Sequence, residues 1–286
     1  MLNDLCTEAA KVGLEVHMGK TKILNNGIGP STKFTEAAVG QGRVEILGRG
    51  QSTMYLGRAL DLRDCHSTEF EHRIRKGWAK FGVYRKELTD KHYSFRDRLH
   101  LLNAVVSPTV LYGCCSWVLT ADKKRRLRGA QHKMMRTMLG KGRVKLPLSE
   151  ESLSDGDSDA SSQPLEAPET YVEWIQRVTH EVEDKMTAAQ VPDWVEECHL
   201  RKWRWYGHTC RRNDNRWSRR VLFWTPERGS RCQGHPFSRW TAEFELFAGK
   251  LDEAGIDSNL QTIAQDRASW GQLEKDFVNM SHDRRT

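Results

Sequence analysis

The stretch LLNAVVSPTVLYGCCSWVLTA, residues 101–121, carries no charged side chain and is long enough to cross a bilayer. Asn103, Ser107, Pro108, Thr109, Gly113 and Ser116 interrupt it. Polar groups and a proline at this density would strand backbone donors and acceptors in lipid. The stretch therefore reads as a broken element buried in a protein core. Its flanks say which kind of core. Upstream, Ser94 can cap a helix with Phe95, Leu99, Leu102 and Val106 on one face, stopped at Pro108. Residues 110–119 follow as a buried segment. Downstream, Thr120 can cap a helix with Leu127, Ala130, Met134 and Met138 inside, closed by Gly140. Lys123, Lys124, Arg125, Arg126, Arg128, Lys133 and Arg136 crowd the other positions of that helix.

Working outward, Leu2, Leu5, Ala9 and Val12 recur at helical spacing and Gly13 ends the pattern. Segments 14–17, 21–24, 44–47 and 54–56 are short, β-branched or aromatic, and parted by Gly-rich turns. They read as a small antiparallel sheet. Phe70, Ile74, Trp78, Phe81, Arg85 and Leu88 then predict one long helix, against the propensity of Gly77 and Gly82. Residues 149–168, SEESLSDGDSDASSQPLEAP, have the composition of a disordered linker. Beyond them Tyr171, Trp174, Ile175, Val178, Val182 and Met186 form a helical stripe, and 194–210 reads as another helix. Trp240, Phe244, Phe247 and Leu251, then Trp270, Leu273, Phe277 and Met280, indicate two more. The expected fold is α+β, mainly α. Its parts are a small sheet in 1–62, a helical region 63–148, an acidic linker 149–168 and a Trp- and Arg-rich helical unit 169–286.

The chain has 286 residues and a formal net charge of +7, and the charge is unevenly placed. Residues 121–148 net +9, residues 149–200 net −12 and residues 201–240 net +9. Such blocks suit contact with a polyanion, and they also occur as solvated faces. Hydrophobic content of 38% with 10 Trp excludes a wholly disordered chain. Seven cysteines without regular spacing argue against a disulfide scaffold and for a nuclear or cytoplasmic rather than secreted protein. The residues from Met1 to Leu5 show no basic region leading into an apolar run.

Four strings carry the functional reading. They are Gly13-Leu14-Glu15-Val16-His17-Met18-Gly19-Lys20-Thr21-Lys22, Tyr55-Leu56-Gly57, Leu111-Tyr112-Gly113-Cys114-Cys115-Ser116-Trp117-Val118-Leu119-Thr120, and Leu200-Arg201-Lys202-Trp203-Arg204-Trp205-Tyr206-Gly207-His208-Thr209-Cys210-Arg211-Arg212. In that order they resemble the C-terminal part of reverse transcriptases of non-LTR (LINE-type) retrotransposons. The first is similar to the palm motif ending in KTK, the second to the YLG primer grip and the third to the thumb signature. The fourth resembles the R-W-x-G-H segment on the C-terminal side of the thumb. The likeness covers most of the chain except the acidic stretch.

The resemblance implies an end of palm, a thumb and a C-terminal segment of an RNA-directed DNA polymerase that works on RNA, DNA or their hybrid with Mg²⁺. It also implies a departure. The family places an aspartate pair shortly before the first string, where carboxylate-held Mg²⁺ aligns the reacting groups. Asp4 stands alone there, and Asp61 and Asp64 come after the primer-grip string. The chain by itself is therefore expected not to polymerise. His17 replaces the motif's Asn and Cys115 the thumb signature's Glu.

By the resemblance, Lys20 would touch nucleotide phosphates or act as general acid, and Lys22 would lie beside it. The bland reading is two exposed lysines flanking a strand. Tyr55, Leu56 and Gly57 are either a hairpin that supports primer backbone or only a strand end. The helix carrying Lys123 to Arg136 either tracks phosphates or is a solvated face over a core. Arg201, Lys202, Trp203, Arg204, Arg211 and Arg212 interleave cations with rings, a pattern that suits unpaired bases. Those rings can equally pack against the helix of 171–186. Cys198, His208, Cys210 and Cys232 lie within about forty residues, but at spacings poor for zinc. Two other readings remain: a helical nucleic-acid-binding module acting through 170–286 alone, and a reading frame whose product has no role.

Overall fold

Ser94 and Thr120 both cap helices. The Ser94 hydroxyl accepts the Asp97 amide at 3.1 Å, opening α4 (Phe95–Val105). Thr120 accepts the Lys123 amide at 3.3 Å, opening α6 (Ala121–Leu139), which ends on Gly140 with φ of 64°. Between them the uncharged stretch folds as one-turn α5 (Ser107–Val110), with Pro108 in its first turn, and a 3₁₀ turn over Cys114–Ser116. Leu102, Val106, Val110, Leu111, Cys114, Trp117 and Leu119 are buried. No helix among the described residues is long and apolar enough to cross a membrane.

The computed structural model describes residues 1–25, 35–48, 50–62, 64–144, 168–212, 214, 216–224 and 239–282. The acidic stretch 149–168, apart from Pro168, and Cys232 lie outside them. The fold is α+β and mainly α. α1 (Leu2–Lys11) precedes a three-stranded sheet of β1 (Lys22–Leu24), β2 (Glu36–Val39) and β3 (Gly42–Leu47), in the order β1-β3-β2. A separate hairpin comes next, β4 (Thr53–Tyr55) with β5 (Arg58–Leu60).

Two expectations about this region are corrected. The sheet is mixed, because β1 runs parallel to β3 with Lys22 opposite Glu45, while β2 and the hairpin are antiparallel. Residues 14–17 are not a strand; they lead into a 3₁₀ turn over Met18–Lys20. There His17 Nδ1 accepts the Lys20 amide at 3.2 Å, so the side chain that a strand would project sideways is used as a cap. β2 carries two alanines, a composition that gives little strand signal.

The long helix expected over 70–88 is two helices, α2 (Cys65–Val83) and α3 (Arg85–Thr89), parted at Tyr84. Gly77 is required by tertiary packing. A Cβ there would stand 2.3 Å from Val110 Cγ2, so its absence lets α2 lie close on α5. Arg98, nearly buried on α4, donates to the Met138 carbonyl at 2.7 Å and so supplies a cation to the C-terminal end of α6.

α7 (Tyr171–Ala188) opens with a capping box between Thr170 and Glu173 and lays Val182 and Met186 on the same core as α2, α4 and α6. α8 (Trp194–Cys210) begins there as well. Buried Gln131 of α6 donates to the Pro192 carbonyl and accepts the Trp194 amide, both at 2.9 Å, and Trp194 Nε1 reaches Ser107 at 2.7 Å. Val195 and Cys198 belong to this first cluster. Trp203, Tyr206 and Cys210 belong to a second, with Phe244, Phe247 and Leu251 of α10 (Ala242–Glu253). Trp270 of α12 (Arg267–Gln272) and Phe277 of α13 (Glu274–His282) complete its centre. The two hydrophobic clusters therefore part inside α8. Short α9 (Trp217–Phe223) and α11 (Leu260–Ile263) edge the second.

Candidate nucleic-acid interface

Three of the four strings meet: the second touches the third, and the third touches the fourth, where Arg201 reaches the Leu111 carbonyl at 3.4 Å. Tyr55-Leu56-Gly57 forms the tip of the β4–β5 hairpin, a two-residue turn with φ of 48° at Leu56 and 76° at Gly57. Asn or Asp usually holds the first of these positions, because a left-handed leucine is strained. The tip is clasped from below. Tyr112 Oη donates to the Leu56 carbonyl at 2.9 Å, and the Arg73 guanidinium donates to the Gly57 carbonyl while lying 4.4 Å over the Tyr112 ring. Arg73 is in turn held by Glu69, fully buried, whose other oxygen accepts the Ala59 amide at 2.6 Å. The result is an apolar tip with Met54, Tyr55 and Leu56 all more than half exposed, fixed to α2 and to the third string.

Glu69→Gln is expected to cost about 2–3 kcal/mol, since a charge-assisted acceptor shared by a buried guanidinium and an amide is lost. Urea unfolding measures the cost, and faster hydrogen exchange at Ala59 would place it in the hairpin.

The cations of α6 divide by face. Arg125, Arg126 and Lys133 are exposed; Arg126 pairs with Glu71 and Lys133 lies 5.7 Å over Trp78, both on α2. Arg75, exposed on α2 four residues after Glu71 and three before Trp78, shares their face and adds to a basic seam along both helices, whereas Lys76 is exposed on another face of α2. Arg128 instead pairs with Asp193 at 3.1 Å and Arg136 donates to Thr179 at 2.8 Å, which ties α6 to α8 and α7. Lys124 turns toward Glu243, 3.9 Å away. Lys123 is half-buried and lies near enough to His66 and Asp64 to lower both their pKa values, behind burial for His66 and the Ser67 hydrogen bonds for Asp64.

Most of the fourth string is structural. Lys202 and Trp203 were expected on a binding surface and are in the interior. Trp203 stacks on Trp270 at 3.7 Å between centroids, and its Nε1 donates to the Trp270 carbonyl at 3.1 Å. These rings pack on α10, α12 and α13 rather than on α7. The Lys202 ammonium meets Glu243 at 2.8 Å, with His199 Nδ1 3.5 Å from the same oxygen. Burial lowers the Lys202 and His199 pKa values, and Glu243 opposes it in both. Burial would raise the Glu243 carboxyl, but His199 and Lys202 outweigh it and hold its pKa at about 2. Arg201 binds Glu197 at 2.6 Å, Arg204 grips Glu274 with two 2.9 Å bonds and Arg211 donates to the Ala264 carbonyl at 2.9 Å. Arg212 contacts His208 at 3.1 Å and remains at the surface edge beside Asp214.

Lys20 is exposed, whereas Lys22 pairs with Glu45 across β1 and β3. Cys198 lies beside Cys114 in the first cluster, and Cys210, beside Tyr206, in the second. Among the described residues no three His, Cys, Asp or Glu side chains group so as to hold a metal ion. Sequence reading missed Glu69, Arg73 and Glu243, whose role depends on partners elsewhere in the chain; only the four-residue spacing of Glu69 and Arg73 signals a pair.

The chain is similar to an uncharacterized transposon-derived protein of Caenorhabditis elegans, 27% identical over 271 residues, covering 94% of this chain and 86% of that one. No known family profile matches the sequence. No solved structure matches it either. The likeness supports a transposon origin.

Proposed function

We propose that the chain is a retroelement-derived segment of a non-LTR reverse transcriptase, comprising the end of the palm, the thumb and the C-terminal segment. It binds RNA–DNA hybrid or primed template. One observation carries this reading: the primer-grip-like tip at Leu56 and Gly57 is bonded to Tyr112 of the thumb-like string, fifty-six residues on. A polymerase that grips a primer end between palm and thumb needs such a joint. The basic seam of Arg75, Arg126 and Lys133 begins on the helix that supplies Arg73 to the clasp, and it suits phosphate contact without base reading.

No two consecutive aspartates occur in the sequence, so the aspartate pair that holds Mg²⁺ in the family enzyme has no counterpart in these 286 residues. The stand-alone module reading is less well supported, because residues 170–286 contribute to both hydrophobic clusters. Cutting there would expose Val182, Met186 and Trp194.

The test is titration of the full chain with a labelled 20-base-pair RNA–DNA hybrid at several salt concentrations. Affinity is expected to fall steeply with salt, and the double variant Arg126→Gln/Lys133→Gln to reduce the slope of log K against log salt by about 2. No primer extension is expected with Mg²⁺ or Mn²⁺. Binding indifferent to salt, or extension by this chain, would refute the reading.

A further inference from the structure

Beside the second cluster the structure has an apolar cleft of about 490 Å³, a volume within the range of small-ligand sites. Trp205, Trp217 and Trp240 line it together with Val221, Leu222, Ser116 and Ser218. Trp205 and Trp240 meet edge to face at 5.2 Å. The Trp240 indole N–H donates to the Cys115 carbonyl at 2.8 Å, which fixes its plane against the third string. Trp217 is different: it is 74% exposed at the start of α9, with the Arg220 guanidinium 5.4 Å over its ring. Its ring is therefore open to solvent at the margin of a cleft already lined by two other indoles.

The charge around the cleft indicates the partner. Residues 211–224 hold five arginines and one aspartate, and α9 itself has two arginines and no acid. Arg212 and Arg216 share the single Asp214 and Arg219 reaches the Arg212 carbonyl, so the margin of the cleft keeps a net positive charge. A polyanion whose units carry flat apolar faces matches both the cations and the rings.

We propose that this cleft holds an unpaired nucleobase of a single-stranded nucleic acid, with Trp217 stacked on the base and the α9 arginines beside its phosphates. The proposal deepens the nucleic-acid reading above and rests on it. Stacking uses the π-face that every base has, so RNA and DNA strands are bound alike. The tryptophans at 205 and 240 confine the base, while the hybrid itself stays on the seam between α2 and α6.

The full chain should be titrated with labelled (dT)12, (U)12, an abasic 12-mer of equal charge, and the hybrid, by fluorescence anisotropy. Trp217→Ala is expected to weaken (dT)12 and (U)12 by about 10-fold, with hybrid affinity changed less than twofold. Trp217→Phe should recover most of the loss. The abasic strand should bind wild type about 10-fold more weakly than (dT)12, a comparison that needs no variant to fold. Equal binding of abasic and ordinary strands would overturn the proposal, as would Trp217→Ala binding (dT)12 like wild type with its circular dichroism unchanged. In either case hybrid binding that persists leaves the function above standing. If wild type binds neither hybrid nor single strand, both fall.

Discussion

Glu243→Gln is expected to destabilise the protein by about 3–5 kcal/mol, the usual cost of removing one partner from a buried ion pair. Lys202 is 3% exposed and has Glu243 as its anionic partner at 2.8 Å, so the variant leaves an ammonium in the core without an opposing charge. The thermal midpoint should fall by roughly 10 °C. A loss below about 1 kcal/mol would mean that water reaches the ammonium, and the pair would then be of the weak surface kind. Lys202→Met combined with Glu243→Met should recover most of the loss, because a buried pair replaced by apolar groups of similar size is near neutral.

The same carboxylate sets an acid limit. Glu243 has a folded pKa of about 2 against an ordinary value of 4.5. The unfolded chain therefore binds the proton more readily. The stabilisation is complete above about pH 4.5 and is lost as the pH falls from there toward 2. Acid unfolding of wild type should steepen through that window, and Glu243→Gln should lack the component.

Trp203→Ala is the second large effect, with an expected cost of about 3–5 kcal/mol. The ring is fully buried and touches Trp270 at 3.7 Å, Phe277 at 4.7 Å and Phe247 at 5.5 Å between centroids. Its space cannot close easily, because Gly207 is already pressed against the Trp270 ring; a Cβ there would sit 2.3 Å from Trp270 Nε1. Chemical unfolding measures the cost. Hybrid affinity of the folded variant at low temperature should stay within twofold of wild type. A stable variant with weakened binding would restore Trp203 to the surface role that its sequence neighbourhood suggests.

Trp203 and Trp217 show how far a sequence carries. Both stand among arginines, and hydropathy does not distinguish them. Trp203 lies in the interior of a seventeen-residue helix on the face that α10, α12 and α13 cover; Trp217 begins a seven-residue helix at the margin. That difference is set by elements forty to seventy residues further on. The cations of α6 repeat the lesson. Spacing shows seven of them on one helix, while partners on α2, α7, α8 and α10 decide which stay exposed. The seam with Arg75 was not legible, because it needs two helices side by side.

The determinants that the sequence holds by itself are local. Ser94, Thr120 and Gly140 bound their helices because capping hydrogen bonds and left-handed glycine act within a few residues. The uncharged stretch 101–121 was bound to be interior and broken, since Pro108 and Gly113 forbid one continuous helix. Only the tertiary structure decided what that stretch supports. Tyr112 reaches back to Leu56, and Cys115 reaches forward to Trp240. A hydrogen bond between residues 56 or 125 positions apart leaves no period in the sequence, because its geometry is fixed by the packing of whole helices.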